Sequence, residues 1–302
     1  MSSQRATAFV PGHVTALFSA HPDDDPAVAG SRGAGVTLTD GVAVRVLAVD
    51  AGETAAGDGG SATSGTEAAT ADADAGVTTI DGEPGSIGAV DDVLAELGVA
   101  ADVAVETDLP IGAGFGVSGA AALGTALAAN DAFGRGRSEN ELVRIAHAAE
   151  VGRGTGLGDV VAQARGGIPI RLEPGAPGVG ELDGVPATAR VEYVTFGELS
   201  TERVLGGDTA TLSAAGEDAL DRLRADPRLP TLMNAARTFA CEADLLVPEV
   251  AEAIAAVEAA GGEAAMAMLG RTAFALDTGL SDAGYDPEVC RVDAAGARLV
   301  DD

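Results

Sequence analysis

The chain has 302 residues, 46% of them hydrophobic, which is enough to build a substantial core and too apolar for a disordered acidic protein. Its 47 acidic residues stand against 18 basic ones, a net charge of −29, and every basic residue is an arginine. Nucleic acid is excluded as an expected partner of such a surface, and acids spread along the whole chain fit a protein built for molar salt, as in halophilic archaea, where self-repulsion is screened.

Two cysteines, Cys241 and Cys290, and three histidines provide neither a disulfide framework nor a Cys/His metal cluster. No apolar run reaches the roughly 18 residues of a membrane span, and no signal-peptide core opens the chain. The expectation is a soluble, cytoplasmic protein; the sequence leaves a homodimer open.

Residues 6–18 read as a strand interrupted at Pro11-Gly12. Ser31 to Gly35 reads as a glycine turn, and residues 36–38 and 42–49 are expected to pair around a hairpin at Asp40-Gly41. Residues 51–85 are mostly Gly, Ala, Ser, Thr and Asp, with little to bury, and are expected to form a flexible insertion. A helix over 90–97 and a strand over 103–106 lead into Leu109-Pro-Ile-Gly-Ala-Gly-Phe-Gly-Val-Ser-Gly-Ala120.

That stretch organises the chain. Gly112, Gly114 and Gly116 alternate, and an Ala/Leu run to Asn130 follows them. Glycines admit positive φ and bring backbone N–H groups against a ligand, and a helix starting there adds unpaired N–H groups and its positive dipole end. Together they form an anion seat, most naturally for nucleotide phosphates. The spacing is not a Walker A loop, since the chain has no lysine, and the third glycine comes one residue early for G-x-G-x-x-G. A tight turn that merely packs helix on strand is the competing reading.

Ser138-Glu-Asn-Glu141 is a capping box for a helix that ends near Glu150-Val-Gly152. Residues 153–159, Arg-Gly-Thr-Gly-Leu-Gly-Asp, form a second glycine-rich loop opening another helix, which Gly166-Gly167 stops before a strand over 168–172. The Gly/Pro-rich residues 174–186 divide residues 1–173 from 187–302. Beyond them come a strand over 190–196, helices over 216–224 and 231–241, a helix from Pro248 to Gly261-Gly262, the stretch 264–276, and a weak strand over 297–300. Strands and helices without regular βαβ alternation predict a two-domain α+β protein.

Phosphoryl transfer needs positioning, a metal that bridges phosphates, and a group that orients the attacking hydroxyl. Ser118 at the helix start reaches either Mg²⁺ or a phosphate oxygen, or simply caps the helix. Glu150 sits where the helix dipole disfavours an acid, which suggests a ligand such as Mg²⁺, against one more acid on an acidic surface. Asp159 is a general base for a hydroxyl or a helix cap. Arg32 and Arg153, each beside a glycine stretch, could hold a carboxylate in bidentate fashion. His13 and His147 are equally readable as packing residues.

With these runs assembled, the chain resembles the galactokinase, homoserine kinase, mevalonate kinase and phosphomevalonate kinase (GHMP) superfamily, and within it the archaeal pantoate kinase family. The resemblance rests on Phe9-Val-Pro-Gly-His13, Gly30 to Gly35, Leu109 to Ala120, His147 to Gly152, Gly154 to Asp159 and Ala265 to Thr272. It implies an N-terminal α+β nucleotide-binding domain, a C-terminal ferredoxin-like domain, and ATP- and Mg²⁺-dependent phosphorylation of the 4-hydroxyl of pantoate on the way to coenzyme A. Carried over residue by residue, Pro110, Gly112, Gly114, Phe115, Gly116, Ser118, Gly119 and Ala120 would cradle the nucleotide, and Ser118 and Glu150 would hold Mg²⁺. Asp159 would act on the hydroxyl, and His13 would stand where many members carry a lysine. A homoserine- or mevalonate-type kinase and a non-catalytic nucleotide sensor are the rival readings.

Overall fold

The computed structural model describes residues 4–49, 76–199 and 209–301. Twelve strands and eight helices lie among them. The first sheet is built on two long antiparallel strands, β1 (Arg5–His21) and β2 (Gly30–Ala48). Nearly every residue of β1 from Ala6 to Phe18 is buried, so its sequence is a near-continuous apolar run rather than an alternating one. β5 (Ala101–Thr107) pairs antiparallel with the second half of β2. β3 (Thr78–Ile80) adds in parallel to β5, and β4 (Glu83–Pro84) closes that edge. β6 (Pro169–Glu173) meets β2 at Gly33 and Ala34 and is followed by β7 (Glu181–Gly184). At the other edge β12 (Arg298–Val300) pairs with Thr7 to Phe9 of β1.

The second sheet is antiparallel, in the order β11 (Glu288–Arg291), β8 (Arg190–Thr195), β10 (Thr272–Leu276), β9 (Ala264–Ala267). Helices α1 (Gly88–Leu97), α2 (Val117–Ala132), α3 (Glu139–Arg153) and α4 (Asp159–Arg165) pack on one another, and α2 lies against β1 and β2. Helix α2 is Ala-rich and buried along most of its length, with Ala120 to Leu123 fully enclosed. Helices α5 (Ala210–Ala225) and α6 (Leu229–Glu242) pack on β1, and α7 (Pro248–Ala259) covers β9 and β10. The short α8 (Gly279–Asp282) follows β10. The architecture is α+β, as expected.

Three local expectations are corrected. There is no hairpin at Asp40-Gly41: β2 runs through it, with Gly41 opposite Pro11 and Leu38 opposite Gly12, so Thr39 and Asp40 bulge out. Pro11 has no N–H to give the ladder, and the register breaks beside it. Ser31 to Gly35 is not a turn but a part of β2 paired with β1. Within the expected insertion 51–85, residues 78–80 and 83–84 form β3 and β4 on the first sheet; residues 51–75 lie outside the described ones.

The capping box forms as expected. The Ser138 side chain accepts from the N–H of Glu141, and the Glu141 carboxylate accepts from the N–H of Ser138. This fixes the start of α3 and therefore the depth at which its last turn delivers Glu150.

Candidate active site

The glycine loop joins β5 to α2. Gly112, Gly114 and Gly116 all have positive φ, at 77°, 94° and 64°, conformations that a residue with a Cβ adopts at a cost. The loop's carbonyls are held by distant elements. Gly112 O accepts from the N–H of Leu199 at 3.1 Å and Phe115 O from the N–H of His13 at 2.9 Å. Ala113 O accepts from the Thr272 hydroxyl at 2.8 Å, and Gly116 O from the Gln163 side-chain amide at 3.0 Å. With those carbonyls tied back, the N–H groups of Gly114 to Gly119 have no acceptor among the described residues. They form a nest at the positive end of α2, the arrangement that suits phosphate oxygens.

These groups line a cleft of about 630 Å³ whose other walls come from the last turn of α3, the start of α4, Thr15, Glu198 and the β9–β10 turn at Met268 and Leu269. Ser118 and Glu150 meet in it: the Ser118 hydroxyl donates to Glu150 Oε1 at 2.5 Å. Burial pushes the Glu150 carboxyl up to about 7, with the nearby Asp159 charge adding to the rise and the Ser118 hydrogen bond opposing it. The acid at the end of α3 is therefore no surface charge.

Asp159 is the first residue of α4, yet its side chain caps nothing. Oδ1 takes hydrogen bonds from His13 Nδ1 at 2.7 Å and Thr15 Oγ1 at 3.4 Å. Burial pushes the Asp159 carboxyl up, but the His13 hydrogen bond, the Arg171 charge and Thr15 outweigh it and hold the group below the usual carboxylate range. Asp159 is thus an ionised carboxylate at the edge of the cleft, beside a neighbouring carboxyl that burial keeps partly protonated.

Other expected residues stand elsewhere. Gly112, Gly114, Phe115, Gly116, Ser118 and Gly119 line the cleft, whereas Ala120 is buried inside α2 and Pro110 faces a different groove beside Tyr193. Arg32 is engaged by Glu217 of α5 and by the Leu172 carbonyl at 2.7 Å. Arg153 points outward and clamps Asp92 at 2.5 and 2.7 Å. Both arginines are occupied by acceptors of the chain, and neither lines the cleft. His147 is buried and bonds Ala29 O at 2.9 Å.

The cation that sequence reading missed is Arg171 on β6. It is buried, and its long contacts at 3.3 and 3.4 Å go to the carbonyls of Ser31 and Gly158. No carboxylate lies within ion-pair distance of it among the described residues. Nothing near Arg171 in the sequence marks it, because Pro169-Ile-Arg-Leu-Glu173 reads as an ordinary strand; only the pairing of β6 with Gly33 and Ala34 of β2 brings it beneath Gly158 and Asp159.

Residues 86–167, which carry the loop, Ser118, Glu150 and Asp159, match the family of GHMP kinases N terminal domain. Fold and loop together define a GHMP-type kinase. The chain is 35% identical to the pantoate kinase of Thermococcus kodakarensis over 280 residues, covering 89% of this chain and 86% of that one. It is 32% identical to the pantoate kinase of Methanospirillum hungatei, covering 91% and 89%. A solved phosphotransferase related to the CoA biosynthesis pathway superposes with a TM-score of 0.80 at 30% identity over 98% of each chain. A homoserine kinase from Cytophaga hutchinsonii shares the fold, with a TM-score of 0.64 at 17% identity over 99% and 98%. The chain belongs to the pantoate kinase family of the GHMP kinases.

Proposed function

We propose that the protein transfers the γ-phosphoryl group of ATP to the 4-hydroxyl of pantoate, yielding 4-phosphopantoate for coenzyme A synthesis. The observation that carries this reading is the convergence on one cleft of the N–H nest, the Ser118–Glu150 pair and the Asp159 carboxylate. The names of the relatives supply the acceptor.

The donor set suits Mg²⁺: a hydroxyl and a carboxylate, both oxygens, with no cluster of three or more His, Cys, Asp or Glu able to hold a metal among the described residues. Mg²⁺ usually takes one or two protein oxygens and shares the rest of its shell with phosphates and water. Ser118 and Glu150 would hold it, and it would supply charge neutralisation between the phosphates. Asp159 accepts the proton of the 4-hydroxyl and orients its oxygen toward the phosphoryl group. The charge of −29 we read as adaptation to a salt-rich cytoplasm. It also speaks against nucleic acid, and none of the described helices is long and apolar enough to cross a membrane. We carry the division at 174–186 as the boundary between the two lobes.

ATP consumption in molar KCl with Mg²⁺, compared for pantoate, homoserine and mevalonate on the wild type and Asp159→Ala, tests this reading. Pantoate-dependent turnover that collapses in the variant supports it. Turnover with another acceptor keeps the mechanism and replaces the substrate, and ATP binding without turnover favours a sensor.

A further inference from the structure

His13 is buried completely, so it touches neither solvent nor substrate. It nevertheless sits at the junction of the two halves of the chemistry. Its backbone N–H holds the carbonyl of Phe115 in the glycine loop, while its ring holds Asp159. The segment between the two register breaks of β1, at Pro11/Gly12 and Thr15/Leu17, puts His13 and Thr15 on one face, and both reach Oδ1 of Asp159. No hydrogen bond reaches Oδ2 among the described residues.

The ring's polar contacts are all on one nitrogen, where Asp159 Oδ1 lies at 2.7 Å and the Thr15 hydroxyl at 3.4 Å. Nδ1 meets Asp159, and Nε2 is buried with no partner. It lies over Gly35, where a Cβ would come within 2.3 Å of Nε2. An imidazolium would bury an unpaired N–H beside the charge of Arg171; a neutral ring with its proton on Nδ1 buries only a lone pair.

We propose that His13 is a positioning residue, a neutral Nδ1–H imidazole that clamps Oδ1 of Asp159 and leaves Oδ2 alone to meet the substrate hydroxyl. The proposal rests on the reading of Asp159 as the group that acts on that hydroxyl. It makes His13 no electrostatic substitute for a lysine: it supplies a hydrogen bond and no charge. Charged groups facing the pair are Arg171 from β6 and Glu150 from α3, and Thr15 of β1 adds a neutral donor. Burial, with Arg171 adding to it, pushes the imidazole value down against the pull of Asp159, in the same direction as the geometry.

Two experiments test this. With only three histidines in the chain, ¹⁵N imidazole spectra of the wild type can be assigned by substitution of His21 and His147. The His13 ring is expected to be neutral with the proton on Nδ1 at neutral pH; an imidazolium there would overturn the proposal. This readout needs no acceptor, so it stands even if pantoate proves to be the wrong substrate.

Kinetics supply the second test. At saturating Mg²⁺, which takes the Glu150 proton out of the profile, His13→Ala should lower kcat about 10²-fold with the KM for ATP little changed, and should move the acid limb of the kcat profile to higher pH. The sign follows because a carboxylate that loses a donor while staying buried is harder to ionise. His13→Asn, whose amide N–H falls near the position of Nδ1, should restore most of the rate, and His13→Gln should not. An acid limb that stays in place, or an asparagine variant as slow as the alanine variant, would reduce His13 to a packing residue.

Discussion

The Ser118 hydroxyl donates to Glu150 Oε1 across 2.5 Å, joining the first turn of α2 to the last turn of α3 in a buried site where the carboxyl titrates at about 7. On the proposed reading, Mg²⁺ would compete with a proton there. Metal affinity is therefore expected to rise about tenfold per pH unit below about 7 and to level off above it. Calorimetry of Mg²⁺·ATP binding in buffers of different ionisation enthalpy would show proton release at about pH 6 and little at about pH 8.5, and Glu150→Gln would remove the pH dependence.

The same carboxyl bears on stability. Its folded-state value lies above the ordinary 4.5, so its favourable contribution is complete below about pH 4.5 and is lost as pH rises through about 7. At about 1.4 kcal/mol per pH unit the swing is about 3 kcal/mol. Without metal, Glu150→Gln should be more stable than the wild type at about pH 8.5 and nearly equal to it at about pH 5, read from urea midpoints in molar KCl. Equal midpoints at the higher pH would show that the carboxyl is not buried in solution.

Gly270 lies in the turn between β9 and β10, and a Cβ on it would come within 1.9 Å of the carbonyl of Ala113. That carbonyl is the one the Thr272 hydroxyl holds. Gly270→Ala should destabilise the fold by about 1–3 kcal/mol through overpacking and raise the KM for ATP more than that for pantoate. A thermal melt and the two Michaelis constants decide it.

Arg171 and Arg153 give opposite outcomes. Arg153→Ala removes an exposed clamp on Asp92 and should leave the KM for pantoate within about twofold and the stability little changed, because solvent screens such a pair. Arg171→Lys keeps a charge but loses the planar fork on the Ser31 and Gly158 carbonyls beside Asp159, and should lower kcat about tenfold. Equal kinetics for the two variants would show that Arg171 does not position Asp159.

The excess of 47 acids over 18 arginines predicts a steep dependence on salt. The screening length falls from about 10 Å at 0.1 M to about 3 Å at 1 M. Circular dichroism melts should show the midpoint rising through the molar range of KCl, with loss of structure in dilute buffer; a midpoint insensitive to salt would contradict the halophilic reading.

The glycine loop was legible because its requirements are local. Alternate residues needed positive φ, and only glycine meets that without strain. Glu150 was legible for a similar reason, since a capping box fixes where α3 begins and the dipole marks its far end as a poor place for an acid. Arg171 was not, because its relation to Asp159 depends on strand pairing across the sheet. Arg32 and Arg153 looked available for the converse reason: their partners Glu217 and Asp92 are distant in sequence. The hairpin expected at Asp40-Gly41 failed because a turn signal in a long strand also serves a bulge, and Pro11 on the opposite strand decides between the two.

The pairing of β12 with β1 has a consequence for how the chain is made. Thr7 to Phe9 leave a ribosome about 290 residues ahead of their partners Arg298 to Val300, whose Arg298 guanidinium settles 4.6 Å above the Phe9 ring. At about 5–20 residues per second, the outer edge of β1 waits roughly 15–60 s for its neighbour, an open row of N–H and C=O groups that any other nascent strand could take. The arrival of β12 closes that edge.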